Sequence, residues 1–578
     1  MIRSPAGFDG GDRIKRYLDY YQPSYGVMML SAGQFSPASL FAAGEQGAWY
    51  DPSDFTTMFQ DSAGTTPVTA VEQPVGLLLD KSKGLALGSE IASTFTVTTD
   101  WTFGSGTVTG LGTAGGGTAT SGVASVANTW YKITYTKTGT SGLFQVRIGN
   151  AFVTTDGGAG AATRTYYAAA ANTAGLVFTN SGSYSGTITG ISCVAISGNH
   201  ASQSTSASRP VLSARVNLLT YSEQFDNAAW SKGLITVTGD AIAGPFGGVT
   251  ADKLGASAVA SPQQCYQIGL TFTAISYTFS FYAKAAGSNW VAINAFDGVN
   301  RYTYFDLQNG VVGTVAAGDT ASISAVGSGW YRCAVTRTAS PTASGGLSIE
   351  LASANNSPGN VSVNNGVYAW GADIRVTNDG VVLPAYQRVA AATDYDTTGF
   401  PLYLRFDGTD DSLATASVNF SVTDKMSVFS GVRKLSNAAA IVVELSAATG
   451  GNDGSFYFLS GTDSGFSYGS LSRGTAVISG TQLAGVTVAA PDTAVISSTH
   501  DIGGSLTTFR RNQNASANAT GTKGTGNFGN YPLYIGRRGG TTLPYNGRLY
   551  SLIVRGAQST DAQIASTETW VDGKTGAY

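Results

Sequence analysis

The sequence predicts an all-β, multidomain array of jelly-roll β-sandwiches behind a short N-terminal helical segment. Three observations predict it. Glycine takes 75 of 578 positions, about twice ordinary usage, and charged residues only 12%. Aromatic residues reach 11%, enough apolar surface for several cores and too much for disorder. Short apolar/polar alternations recur between Gly/Ser/Thr-rich turns, the pattern of half-buried strands. At roughly 150 residues per domain the length suits three or four domains.

Residues 1–45 stand apart as an attachment segment. In residues 12–21, Ile14, Tyr17, Leu18 and Tyr21 fall at helical spacing, and Pro23 stops the run. Residues 46–84 form a second segment. A first sandwich spans residues 85–197. In it Tyr131, Ile133 and Tyr135 point to one face, and Lys132, Thr134 and Thr136 to the other. After a connector at 198–213, a second sandwich covers 214–385. Its strand Trp330, Tyr331, Arg332, Cys333, Ala334, Val335 repeats that register, with Cys333 where the first has Ile133. Residues 386–578 form a third all-β unit, closed by a helix from about Thr560 to Val571 that buries Ile564 and Trp570.

Composition excludes several functions. The net charge of −3, with no long run of either sign, leaves no basic face for nucleic acid. No apolar run approaches about 18 residues, so no membrane-spanning helix is expected. Residues 1–9 lack an apolar h-region, and the expectation is a chain made without a Sec signal peptide. Cys193, Cys265 and Cys333 lack a C-x-x-C spacing and read as buried small hydrophobes. His200 and His500, the two histidines, have no G-x-S-x-G elbow beside them and read as turn or surface residues.

Residues 36–54, SPASLFAAGEQGAWYDPSD, continue through Phe59, Gln60, Asp61, Ser62 and on to Gln73, Pro74, Val75, Gly76. This stretch resembles a segment recurrent in tailed-bacteriophage virion structural proteins. Residues 217–230, NLLTYSEQFDNAAW, resemble the opening of a carbohydrate-binding-like module of the same proteins. Residues 406–413, FDGTDDSL, with Tyr534, Ile535, Gly536, Arg537 and later Gly547, Arg548, Leu549, Tyr550, are similar to laminin-G/concanavalin-like lectin sandwiches. In such phage proteins a stretch like 80–82 runs straight into one like 198–212. Here some 115 residues intervene, so the first sandwich is expected to be an insertion, with 47–80 contacting 398–578.

The chemistry-bearing residues are few. Sugar faces stack on aromatic rings, and the candidates for glycan binding are Trp130, Trp330, Trp230, Trp290 and Tyr302. Trp130 and Trp330 lie opposite the apolar stripe of their strands and are exposed if only one face is buried; the alternative is that each closes the end of its sandwich. Asp407, Asp410 and Asp411 are the densest acidic cluster. They suit Asx-turn hydrogen bonding, a Ca²⁺ site drawing on about six to eight oxygens, or, less readily, the paired acids of a glycosidase.

The resemblance implies a virion protein such as a tail fibre. The N-terminal segment would join other virion proteins, and lectin-like domains would bind bacterial surface polysaccharide without catalysis. A homotrimer is the oligomer that a fibre implies. The alternatives are an architectural part (head fibre, decoration or tail-tip protein) and, third, a capsule or O-antigen depolymerase.

Overall fold

The computed structural model describes residues 35–113, 115–377, 385–463 and 465–577. The expected helix at 12–21 lies outside them. The described residues are built almost wholly of antiparallel strands and form two compact units: residues 216–377 with 385–400, and residues 35–215 with 401–577. No helix among them is long and apolar enough to cross a membrane.

The larger unit holds two sandwiches. In the first, strand Trp130–Ser141 lies between Gly160–Ala169 and Ser185–Ile196 in a six-stranded sheet, facing a five-stranded sheet centred on Leu176–Asn180. Tyr131, Ile133 and Tyr135 enter the core with Phe144, Phe178, Tyr184 and Cys193, as the alternation predicts.

The second sandwich of this unit pairs an eight-stranded with a nine-stranded sheet. Chain-distant segments complete both. Strand Gly47–Tyr50 pairs with Asn546–Arg555, placing Tyr50 opposite Leu552. Leu77–Leu78 pairs with Ala201–Ser202, which in turn pairs with Leu413–Asn419. Val211–Ser213 joins Tyr403–Asp407. Met58, Leu78, Phe406, Val428, Phe458, Ile496, Phe509 and Leu552 share its core. Residues 35–45 pack here too: Leu40 is buried with Trp49, Phe429 and Val571.

The terminal helix is Asp561–Thr575. The Thr560 hydroxyl accepts the Gln563 N–H while the Gln563 side chain accepts the Thr560 N–H, a reciprocal cap. Ile564 and Val571 are buried, and half-buried Trp570 meets Trp49 edge-on at 5.6 Å.

The smaller unit is one sandwich. Its seven-stranded sheet includes Gln264–Phe272, Thr342–Ala354, Trp290–Phe296 and Tyr302–Asp306; its six-stranded sheet includes Val249–Ala256, Gly366–Val376, Ser276–Ala286 and Trp330–Thr338. Phe225, Trp230, Phe279, Val291, Ile293, Phe305, Cys333, Leu347 and Ile349 lie between them. The likeness of the two Trp-Tyr strands stops at register. In the first sandwich that strand pairs directly with the closing strand, whereas here Ser276–Ala286 intervenes. Residues 386–400, expected in the C-terminal sandwich, pack instead in this smaller unit. Buried Gln387 fixes them there: its Oε1 accepts the Val216 and Asn217 N–H groups at 2.7 and 3.0 Å.

The three cysteines are buried free thiols, and burial pushes their pKa values up, that of Cys265 to about 12. Neither histidine is a surface residue. Nδ1 of His200 accepts the Asp80 N–H at 2.9 Å, and burial lowers the ring's pKa to about 3. His500 is enclosed by Ser470, Ser498 and Thr507 at 3.0, 3.2 and 3.3 Å.

Candidate functional site

Strand alternation decides which aromatics meet solvent. In Trp290–Phe296, residues Val291, Ile293 and Ala295 point into the core, so Trp290, Ala292 and Asn294 occupy the outer face of the seven-stranded sheet. Register then assembles two rows across that face. One runs Gln264, Glu350, Ala292, Tyr304; the next runs Tyr266, Ser348, Asn294, Tyr302. Trp290 stands beside the first row, opposite Ala352 and Asp306. Ala292 and Ala352 are small, and Trp290, Tyr302 and Tyr304 gather over them. The two tyrosine rings lie 6.5 Å apart. Trp290 and Tyr302 are half-buried.

The polar groups of this face are largely held in place. Ser348 donates to Gln264 Oε1 at 3.0 Å, and Asn294 donates to Asn300 Oδ1 at 2.8 Å while accepting the Arg301 N–H at 3.1 Å. Glu350 is the exception. It is fully buried, and neither carboxylate oxygen makes a hydrogen bond of full geometry among the described residues; the Gln263 backbone N–H approaches it and offsets only part of the effect of burial. Burial raises its pKa to about 8, so it is predominantly protonated at neutral pH. Burial and the nearby Glu350 also raise the Tyr302 hydroxyl, and burial is the main cause that pushes Tyr304 up to about 12.

Of the five aromatics singled out in the sequence, the structure brings Trp290 and Tyr302 together and removes the other three from solvent. Trp130, which would be exposed only if one face of its sheet were buried, is buried against Phe59, Leu77, Leu79 and Tyr167, and meets the His200 ring edge-on at 5.4 Å. The Trp130 end of its strand's outer face is covered by Phe59, Leu77 and Leu79, which a reading confined to residues 85–197 cannot anticipate. Trp330 is covered in the same way, among Tyr282, Trp370 and Ala251. Trp230 is interior, 4.8 Å from Phe225, its indole N–H donating to the Tyr221 carbonyl at 2.9 Å. None of these three offers a ring face to a sugar. Glu350 was not singled out; the signal for it was alternation with Ile349.

Asp407, Asp410 and Asp411 do converge, with one carboxylate oxygen of each within 4.8 Å of the others. Asp407 Oδ1 accepts the Thr409 and Asp410 N–H groups at 2.7 and 3.3 Å, the expected Asx turn. Asp410 accepts the Ser208 hydroxyl at 2.6 Å, and Asp411 accepts the Asp407 N–H at 2.9 Å. Burial, then the Asp407 charge, raises Asp411 to about 7. Three carboxylates supply part of a calcium coordination shell, and a cation there would relieve the like-charge repulsion that Asp411 records.

No protein family matches this sequence, and no curated protein matches it. Among solved structures the chain is similar to the tandem of CBM22 domains from Paenibacillus barcinonensis Xyn10C, at 12% identity and a TM-score of 0.22, over 51% of this chain and 99% of that one. It is also similar to the NanB sialidase of Streptococcus pneumoniae, at 14% identity and a TM-score of 0.20, over 28% of this chain. It spans 27% of the sialidase's length.

Proposed function

We propose that this chain is a virion appendage protein that adheres to bacterial surface glycan without cleaving it, through the outer face around Trp290. One observation carries the glycan reading: Trp290, Tyr302 and Tyr304 gather on one sheet face whose floor holds Glu350, a buried carboxyl that makes no hydrogen bond of full geometry within the protein. A pyranose offers C–H faces to aromatic rings and hydroxyls to carboxyl and amide groups. The virion reading rests on the resemblance of residues 36–76 and 217–230 to tailed-phage structural proteins. Weak contacts of this kind gain avidity when copies are linked.

The test is calorimetric titration of the full chain with purified capsular and O-antigen polysaccharides, with reducing-end release followed in parallel. Saturable binding without hydrolysis, weakened about tenfold or more by Trp290→Ala or Tyr302→Ala, is expected. Binding that neither variant changes would overturn the assignment of this face, and reducing-end release would overturn non-catalytic adhesion.

The second reading is architectural, a part whose aromatic residues build domain junctions. The packing of Trp130 on Phe59, Leu77 and Leu79 favours it. Failure of every surface glycan to bind would leave it the better account.

A further inference from the structure

What the Trp290 face selects depends on the surroundings of Glu350. Its strand, Thr342–Ala354, runs between Gln264–Phe272 and Trp290–Phe296, so Gln264 and Ala292 flank Glu350 directly. Tyr266 lies diagonally across on one side, Trp290 and Asn294 on the other, and Tyr304 stands beyond Ala292 in the same row. After burial, the Glu350 charge is among the causes that raise the Tyr302 and Tyr304 hydroxyls. Trp290, Tyr302 and Tyr266 are half-buried, whereas Glu350, Ala292 and Tyr304 are buried. The carboxyl thus sits beneath a group of aromatic residues that itself reaches the surface.

No base answers this acid. The strands Gln264–Phe272, Thr342–Ala354, Trp290–Phe296 and Tyr302–Asp306 contain two charged residues, Glu350 and Asp306, and no basic one. Asp306, opposite Trp290, accepts the Gln308 and Asn309 N–H groups at 2.9 and 3.1 Å and the Asn309 side-chain amide at 2.7 Å. These bonds outweigh burial and lower its pKa, so it stays ionised. Arg301, which precedes Tyr302, is held on Asp297 at 3.1 Å. Lys232, on the strand beyond Gln264, donates to the carbonyls of Asp226, Asn227 and Trp230. A buried carboxyl without a counter-charge keeps its proton, and a cation brought to it replaces that proton.

We infer that this face takes a positively charged ligand group, the free amine of an amino sugar or a quaternary ammonium substituent, held over Glu350 by Trp290, Tyr302 and Tyr304. The inference rests on the Trp290 face being the glycan-binding surface and names the chemistry that surface selects. Ring faces attract a cation within about 6 Å of the centroid. The Tyr302 and Tyr304 centroids are 6.5 Å apart, so an ammonium group between them reaches both. As the cation enters, Glu350 releases its proton to water and the carboxylate becomes the counter-ion. A neutral sugar gains the rings and a hydrogen bond alone, and an anionic one meets Glu350 and Asp306 as like charges.

The test titrates the full chain with probes paired by shape and separated by charge, at up to millimolar concentration. Choline is set against 3,3-dimethylbutan-1-ol, its neutral isostere, and the β-1,4 glucosamine hexamer against cellohexaose. The charged member of at least one pair should bind about tenfold or more tighter, and the pair that shows it identifies the source of the ammonium group. Glu350→Gln, isosteric with the protonated acid, should fold and abolish that preference, and Trp290→Ala should weaken binding of the charged probe. Where choline binds, titration near neutral pH in buffers of differing ionisation enthalpy should show release of about one proton, since Glu350 holds its proton up to about 8. Choline binding without that release overturns Glu350 as the counter-ion. Equal binding within each pair overturns the charge selectivity; if Trp290→Ala weakens it the face stands as a neutral-glycan surface, and if not the face falls too. A preference that survives Glu350→Gln overturns the site. No binding by any probe overturns the inference, and the polysaccharide titrations decide the face separately.

Discussion

Asp80 donates its backbone N–H to Nδ1 of His200 at 2.9 Å, joining two points 120 residues apart in the chain. The Asp80 carboxylate accepts the Trp49 N–H on one oxygen and the Asn199 N–H on the other, both at 2.7 Å. The two ends of the 85–197 sandwich therefore leave and re-enter the C-terminal sandwich side by side, at a fully buried polar knot. The Glu45–Arg555 ion pair, at 2.7 Å, binds the same sandwich at its far chain ends.

A chain that closes such a neck tolerates removal of what it encloses. Replacing residues 84–197 by a short Gly-Ser linker should leave a folded protein with a cooperative thermal transition and an unchanged far-ultraviolet β signature. Its melting temperature should fall, because Phe59, Leu77 and Leu79 lose Trp130 as cover. Loss of all cooperative unfolding would show that the remaining segments do not form a sandwich by themselves.

Trp130→Ala should behave as a core truncation and leave glycan binding alone. The side chain is 6% exposed, and its removal leaves a cavity costing about 3–5 kcal/mol. Denaturant unfolding should show that loss, with glycan affinity changed less than about twofold. An affinity loss without destabilisation would return Trp130 to the binding site.

Glu350 should make the smaller unit less stable as pH rises. Its folded pKa of about 8 lies above the ordinary 4.5, so between those values the folded state holds the proton that the unfolded state has released. Stability is fullest below about 4.5 and is lost up to about 8, by an amount on the order of 5 kcal/mol. Glu350→Gln should flatten that slope and raise the melting temperature at pH 9 relative to the unaltered chain. An unchanged slope would mean that Glu350 finds a proton-independent partner.

Asp411 has the same sign in the larger unit. Its pKa of about 7, raised by burial and then by Asp407, costs stability as pH climbs from about 4 to 7. Asp411→Asn should remove that dependence in melts followed across the range. Adding calcium separates the two roles of the turn. A melting temperature that rises with calcium in the unaltered chain and not in Asp411→Asn marks a bound cation; no rise in either marks an Asx turn alone.

Much of the strand architecture was legible because alternation is a local signal. Tyr131, Ile133 and Tyr135 go inward, Cys333 takes the interior place of Ile133, and Thr560 caps the last helix through Gln563. The site was less legible. Trp130 and Trp230 carry the same residue type as Trp290, and only their neighbours in space separate buried junction or core from exposed face.

The sequence by itself determined that the described chain is antiparallel β, that its cysteines are interior, and that Asp407, Asp410 and Asp411 crowd one turn, because each depends on residues close along the chain. Only the tertiary structure decided that residues 59–79 cover Trp130, that Glu350 is buried on the face shared by Trp290, Tyr302 and Tyr304, and that Phe246 rides on Trp370. Period two assigns a side chain to one of two faces. What covers that face is set by strand order and chain-distant packing, and these determine which polar group loses water and which ring keeps it.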